Sequence, residues 1–454
     1  MRRGEDVAAS TPGLMLALGR SPSNTFVTLV SQLADDPARA LQPADELFAQ
    51  GFSLSLFNTV EVAQVEPGGA PLILHRGGRI APPVRSTADL RTLADSIAAN
   101  LISRAWPGVE RFGLRGTYDP LTGRFDDRPA SPFDQAFAAE ALLRDAGATG
   151  IEADRAAKAR SAARAVLAAL SVVEPAERAP WGDPVSASAC LSALNRIDKL
   201  EIERSDELRA LRDRCLEQVR GAYSPKDGFD PMIPAAARGV IARGLIASAG
   251  FEPWDRDERL LLADGAIRAA FRDVPLSQLL GLMPDLGWAE IELARETGIE
   301  PPAAPALVSL RRSVLSLKLK PDDLLAVDRD LAGGLVLDTG GSPLPTWQTL
   351  RPLGLLAMML GDEHMTPGTI GSGEVPRQLI EVLDISRFLI QLTAEPRLGH
   401  MYADPAAALG GVRVSLWDQD MPLTASAAGL SAVCETLDSM DRISKRRPPT
   451  AGTP

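Results

Sequence analysis

At 454 residues the chain is long enough for two or three average domains, or for one large repetitive domain with an extension. A net charge of -11 at pH 7 and a pI near 5.0 argue against a general nucleic-acid binder, which needs a basic face to neutralise phosphates. Three widely spaced cysteines, Cys190, Cys215 and Cys434, form no CxxC pair. They therefore indicate neither a disulfide framework nor a structural zinc site, and read as buried free thiols.

The chain starts Met1-Arg2-Arg3, but Glu5 and Asp6 follow, and the apolar run from Leu14 to Leu18 is shorter than a signal-peptide core. No stretch reaches the roughly 18 uninterrupted apolar residues of a membrane-spanning helix. The expectation is a soluble protein of a reducing, cytoplasmic compartment. Residues 26–50 read as helix in two short pieces, after which the period changes. Phe52, Leu54, Leu56, Val60 and Val62 alternate with Ser53, Ser55, Thr59 and Glu61, the two-residue period of a half-buried strand. Pro67-Gly68-Gly69 turns the chain, Leu72-Ile73-Leu74 reads as a return strand, and Gly77-Gly78 turns it again. This α+β segment, 1–86, is expected to end near Pro82-Pro83, with Ser86 or Thr87 capping the next helix.

From there six prolines, Pro132, Pro184, Pro234, Pro275, Pro345 and Pro422, each end a polar or glycine-containing loop and open a stretch rich in Ala, Leu and Ser. Proline suits the first helical position because its fixed φ fits a helix and its missing N–H would be unpaired there. More charged, amphipathic segments are expected near 87–105, 152–171, 205–221, 256–272, 304–318 and 375–394. In the third of these, Ser205 can cap, Asp206 and Glu207 suit the positive first turn, and Leu208, Leu211, Cys215 and Val219 share one face. The last inner segment, Ala425 to Met440, is instead small or apolar on nearly every face until Glu435 and Asp438, as befits a helix covered on both sides. The fourth pair is the weakest, because Pro284 and Gly287 interrupt its inner helix, which either kinks or ends early. Residues 319–343, with Gly333-Gly334 and Gly340-Gly341, form a long excursion. The tail, 443–454, with Pro448, Pro449 and Pro454, reads as disordered.

The pairing pattern, together with the loops Tyr118-Asp119-Pro120-Leu121-Thr122-Gly123-Arg124-Phe125 and Gly410-Gly411-Val412, resembles the α/α-toroid superfold shared by six-hairpin glycosidases, terpenoid cyclases and protein prenyltransferases. The resemblance covers about residues 87–442. It implies a mainly α protein, an α/α toroid of about six helical hairpins behind the small N-terminal α+β segment. Fold likeness alone does not deliver function.

In such a ring the outer-to-inner loops share one rim. All three tyrosines, Tyr118, Tyr223 and Tyr402, fall in these loops, with Trp181 and Trp417, and so do Asp119, Asp126, Asp127, Asp183, Asp227, Asp230, Asp404, Arg413, Asp418 and Asp420. Six helix N-termini would aim their positive ends at the same rim. The functional reading is a mouth whose aromatic faces and Arg413 bind a small molecule or glycan. Glycoside chemistry needs two carboxyl groups, one a proton donor and one a base or nucleophile, and Asp126, Asp183, Asp230, Asp418 and Asp420 could supply them. Trp417-Asp418-Gln419-Asp420 is the densest cluster. The competing reading is that aspartates at loop ends cap the helices that follow, and Asp183 directly before Pro184 is placed to do so.

Other strings are weaker. Asp328-Arg329-Asp330 lacks the fourth residue of the DxDD run of class II terpenoid cyclases, and the cysteines do not match the zinc ligands of prenyltransferases. Dispersed histidines, with His364 at the other rim and only His400 beside the mouth, read as surface or packing residues, so no metal or cofactor is called for. Leu335-Val336-Leu337-Asp338-Thr339-Gly340 resembles an aspartic-protease strand, but Gly341 follows and no second copy exists. Gly368-Thr369-Ile370-Gly371-Ser372-Gly373 lacks the lysine of a P-loop. Arg238, Arg243 and Arg351 lie on mostly enclosed helices and must find partners, either an anionic ligand such as a uronate or neighbouring rim acids. Three readings stay open: a carbohydrate-directed hydrolase, lyase or epimerase; a terpenoid or prenyl-processing enzyme; and a noncatalytic binding scaffold. The oligomeric state is not specified by the sequence.

Overall fold

The computed structural model describes all residues except 58, 65–67, 173–182, 204, 252–254, 338–343, 372 and 447–454. The chain is mainly helical, with small antiparallel sheets. At the N-terminal end, Arg2–Arg3 pairs with both Asp6–Val7 and Phe52–Ser53, and the helix Pro22–Leu33 packs beside them. Met1, Val30, Ala40, Leu47 and Phe52 form a small core of their own. The single strand expected from Phe52 to Val62 is two short ones: Phe52–Ser53, and Glu61–Ala63 paired with Leu72–Leu74. Between them Leu56 is 88% exposed and Val60 72%, so the alternating apolar side chains have no surface to bury against. The turn at Gly77 is as expected. Its φ is +76°, a left-handed conformation that favours glycine, and an added Cβ would also push on the Met401 side-chain end.

Twelve longer helices follow: α1 (Thr87–Ser103), α2 (Pro132–Ala146), α3 (Ala153–Ser171), α4 (Pro184–Lys199), α5 (Asp206–Arg220), α6 (Arg238–Ser248), α7 (Arg256–Asp273), α8 (Asp285–Thr297), α9 (Ala304–Ser316), α10 (Leu350–Gly361), α11 (Val375–Leu392) and α12 (Leu423–Lys445). Local chemistry explains their starts. Ser86 and Asp89 make a reciprocal capping box on α1, and Ser131, Asp183, Ser205 and Asp255 cap α2, α4, α5 and α7. Pro132 and Pro184 are first helical residues, whereas Pro422 stands one position earlier, before Leu423. Pro234 and Pro345 precede short 3-10 turns that lead into α6 and α10. Pro275 opens only Leu276–Leu279. A longer helix starts instead at Asp285, directly after Pro284, so that proline initiates a helix rather than kinking one. Gly287 lies inside α8, where a Cβ would meet Leu355 of α10 at 2.3 Å, which marks a close helix crossing.

The even-numbered helices are buried nearly all round, except for the exposed C-terminal end of α8. Every residue from Gly239 to Ser248 is buried in α6, and α10 is buried at all but one of its positions. Odd-numbered helices bury one stripe, as α5 does with Leu208, Leu211, Cys215, Leu216 and Val219. Fully burying one such leucine contributes about 1.5–3 kcal/mol. Contacts run from α2 to α4, α4 to α6, α6 to α8, α8 to α10 and α10 to α12, and α12 packs in turn on α2. The partner order differs from that expected: among the odd helices, α2, α4, α6 and α10 each pack most on the one that follows, and α12 on α1. Connections such as 147–152 and 200–205 are short and hold successive helices antiparallel, whereas 104–131, 317–349 and 393–422 are long.

In the excursion, Lys318 bridges to Leu335 around two 3-10 turns, Pro321–Asp323 and Ala326–Leu331. The Asp338-Thr339-Gly340-Gly341 string lies outside the described residues, as does Trp181. Helix α12 continues past the expected end at 442, because Ile443 is buried, Lys445 pairs with Asp441 at 2.6 Å, and Arg446 donates to the Thr366 carbonyl at 2.7 Å. The rest of the expected tail, 447–454, is outside the described residues. All three cysteines are buried free thiols. Among the described residues no helix is long and apolar enough to cross a membrane.

Candidate functional site

The long loops before α2 and α12 meet. Tyr118–Asp119 pairs with Arg124–Phe125 in a hairpin, and the Tyr118 and Met421 backbones exchange hydrogen bonds of 3.1 and 2.9 Å. Four of the sequence-predicted acids, Asp119, Asp126, Asp418 and Asp420, are thereby brought close enough to act on one another electrostatically. Three have local partners. Asp119 accepts from the Leu121 N–H at 2.9 Å and the Thr122 hydroxyl at 2.7 Å, Asp126 from the Thr117 N–H at 3.1 Å, and Asp418 from the Asp420 N–H at 3.1 Å. The Asp420 carboxylate accepts no hydrogen bond from a described residue. Crowding by protein atoms, then repulsion from Asp418, Asp119 and Asp126, pushes its pKa up to about 6. Burial and Asp119 also raise Asp418. Beside them lies a cleft of about 430 Å³ lined by Asp126, Asp127, Arg128, Ser131, Asp134 and Thr424.

The other predicted acids do not join this cluster. Asp183 spends its carboxylate as the cap of α4, accepting from the Val185 N–H at 3.0 Å and from the Ser186 N–H and hydroxyl at 3.2 and 2.8 Å. Asp230 accepts from the Met232 N–H at 2.8 Å, and Asp404 caps the short helix Pro405–Ala408. The predicted ligand-binding residues are largely interior. Tyr118 packs on Phe125 and donates to the Asp404 carbonyl at 3.3 Å, Tyr223 packs on Phe229, and Tyr402 donates to Gln419 at 3.4 Å. Arg413, 1% exposed, donates to the carbonyls of Leu392 and Gln391 and to the Gln419 side chain, which ties the 393–422 loop to the end of α11. Trp417 is 8% exposed and one ring face is covered by Arg76, so stacking on a ligand would require that arginine to move.

A second charged site lies among the C-terminal halves of the even helices, a region the sequence reading did not single out. A cavity of about 260 Å³ is lined by residues of all six, including Glu140, Arg196, Arg243, Glu292, Arg295 and Glu435. Glu140 accepts from Arg144 at 3.0 Å and from Arg243, and the guanidinium groups hold its carboxyl well below the usual range against the cost of burial. Arg144 also donates to Glu435 at 3.1 Å, and Arg243 to Asp285 at 3.0 Å. Arg144 and Arg243 both lie against the Trp288 ring, 4.3 and 4.9 Å from its centroid. Of the three arginines singled out in the sequence, Arg243 joins this network, whereas Arg238 reaches Asp273 at 3.6 Å and Arg351 donates to the Gly281 carbonyl. The available sequence signal was Glu140 and Arg144 at i and i+4 among the Ala and Leu residues of α2, with basic residues in the last turns of α2, α4, α8 and α12.

A groove of about 390 Å³ between α7 and α8 is more apolar, and its arginines are paired, Arg268 with Asp264 and Arg256 with Glu296. Among the described residues no group of three or more His, Cys, Asp and Glu side chains is arranged to hold a metal ion. No protein-family model matches the chain, and comparison with curated proteins finds no match.

Proposed function

We propose that α1–α12 form an α/α toroid, even helices inside and odd helices outside, and that the protein is a carbohydrate-directed enzyme of hydrolase, lyase or epimerase type. The circuit of contacts from α2 through α12 and back to α2 supports the architecture. The N-terminal segment, 1–86, with its separate small core, is an accessory unit docked on it.

The observation that carries the chemical reading is Asp420: an exposed carboxyl without a hydrogen-bond partner among the described residues, pushed up to about 6 by partial burial and then by neighbouring carboxylates, close to a polar cleft that Asp126 lines. A general acid works best when its pKa lies near the operating pH. Asp420 is the proton donor in this reading, and Asp126 or Asp418 the carboxylate that acts as base. The engaged caps Asp183 and Asp404 and the loop-bonded Asp230 are what a noncatalytic scaffold would show, but Asp420 does not fit that pattern. The charged lining of the axial cavity also disfavours a terpenoid substrate, whose apolar chain would have to desolvate guanidinium and carboxylate groups.

A screen of glycan substrates followed by Asp420→Asn tests the reading. Turnover should fall by about 10²–10⁴ while the fold survives. Full turnover in that variant removes Asp420 from the chemistry.

A further inference from the structure

Within the axial cavity the buried charges are unevenly satisfied. Arg144 and Arg243 share Glu140, Glu435, Asp285 and Glu292 between them, and Arg442 donates to the second oxygen of Glu435 at 3.1 Å. Arg196 and Arg295 are left over. The nearest carboxylate to Arg196 is Glu140 at 3.6 Å, and to Arg295 it is Asp362 at 3.8 Å. Both separations exceed the 2.7–2.9 Å typical of a charge-assisted hydrogen bond, and neither guanidinium donates a hydrogen bond to another described residue.

Each of these side chains is about two thirds or more covered, at 29% and 35% exposed. Burial, then repulsion from Arg144 on Arg196 and from Arg442 on Arg295, lowers the pKa of both, although Glu140 and Glu292 near Arg196 and Glu435, Asp362 and Glu292 near Arg295 act in the opposite direction. Asp438, on the same wall, forms no ion pair with either arginine, and burial and Glu435 raise its pKa. The ends of α4 and α8 carry partial negative charge that attracts basic side chains. Yet neither arginine is hydrogen-bonded to a helix carbonyl, so their forks are turned to the cavity they line.

We propose that this axial cavity binds a small anion through carboxylate or phosphoryl oxygens, gripped by the planar forks of Arg196 and Arg295, with Arg442 and Lys199 on the same wall. A guanidinium presents paired donors that match such oxygens two at a time. The cavity, about 260 Å³, is slightly below the common range of about 300–1,000 Å³ for ligand pockets and suits a molecule of monosaccharide size. The site is built from the C-terminal halves of the even helices, whereas the aspartate cluster sits in loops at their N-terminal ends, so the two are separate and this assignment does not rest on the rim chemistry.

Isothermal titration of the full chain with glucuronate, glucose 6-phosphate and neutral glucose tests it. Either anion should bind while glucose does not, and the one that binds identifies the oxygen group. Arg196→Ala and Arg295→Ala should each weaken that binding about ten-fold or more, since hydrogen bonds to charged groups are of that strength. Asp420→Asn should leave it unchanged even where turnover is lost. If neither anion binds at millimolar concentration, if both arginine variants bind like the parent, or if Asp420→Asn weakens binding equally, the assignment is wrong. Should an alanine variant fail to fold, lysine at the same position keeps the charge but removes the fork, and unchanged affinity there overturns the proposal equally.

Discussion

The Arg76 guanidinium lies 5.1 Å from the centroid of the Trp417 ring while pairing with Asp328 and Asp330. One turn of the N-terminal segment thus joins two long loops, the excursion before α10 and the loop before α12. The backbone of Arg76 adopts φ +45°, unusual for a residue other than glycine, and Asp330 is fully buried. This contact, more than any helix, sets what surrounds Trp417.

Replacing Arg76 with Ala should leave Asp330 as a buried charge without its partner and uncover Trp417. Breaking a buried ion pair costs about 3–5 kcal/mol. Urea unfolding should shift by an amount of that order, and the Trp417 contribution to fluorescence, isolated by comparison with Trp417→Phe, should move to the red. An unchanged spectrum would mean that the Trp417 ring is covered without Arg76.

Glu140→Gln removes the acceptor shared by Arg144 and Arg243. Two guanidinium groups, 2% and 5% exposed, would then each lose one of three carboxylate partners, and a loss of about 3–5 kcal/mol is expected at pH 7. Because the folded-state pKa of Glu140 is depressed, its contribution is present above the unfolded value and lost as pH falls through the folded one. Denaturant midpoints at neutral pH, parent against variant, measure it; a shift below 1 kcal/mol on the order of a surface pair would show that the network is dispensable.

Asp420 behaves oppositely. Its folded pKa, near 6, lies above the ordinary aspartate value, so the folded state holds a proton that the unfolded chain has released. Stability should therefore rise as pH is lowered from 7 towards 4, and this component should vanish in Asp420→Asn. Parallel urea titrations across that window decide the matter, and identical slopes in both proteins would contradict the raised pKa.

A fragment starting at residue 87 should still unfold cooperatively, because the small core around Val30, Leu47 and Phe52 is separate from the helical one. Its midpoint should fall, since Gln391 loses the Ala81 N–H and the Arg79 carbonyl, and Arg387 loses the Ala81 carbonyl. Calorimetry of the fragment checks both statements. A broad, non-cooperative transition would make the first 86 residues part of the main core.

The sequence by itself determined the helices and their exposure. Caps such as Ser86, Ser131 and Ser205, prolines such as Pro132 and Pro184, and one-sided stripes such as Leu208, Leu211, Cys215 and Val219 act over a few residues, so their effect can be read locally. Local reading failed at Pro275 and at the 52–62 strand, where a start signal or an alternating pattern needs a surface to pack on that only the rest of the chain can supply. The tertiary structure alone decided that Asp420 is crowded by protein atoms and other carboxylates, that Arg76 covers Trp417, and that Arg243 meets Glu140 across 103 positions and Arg144 meets Glu435 across 291. Electrostatic partnership depends on distance through space, and no periodicity along the chain carries that distance.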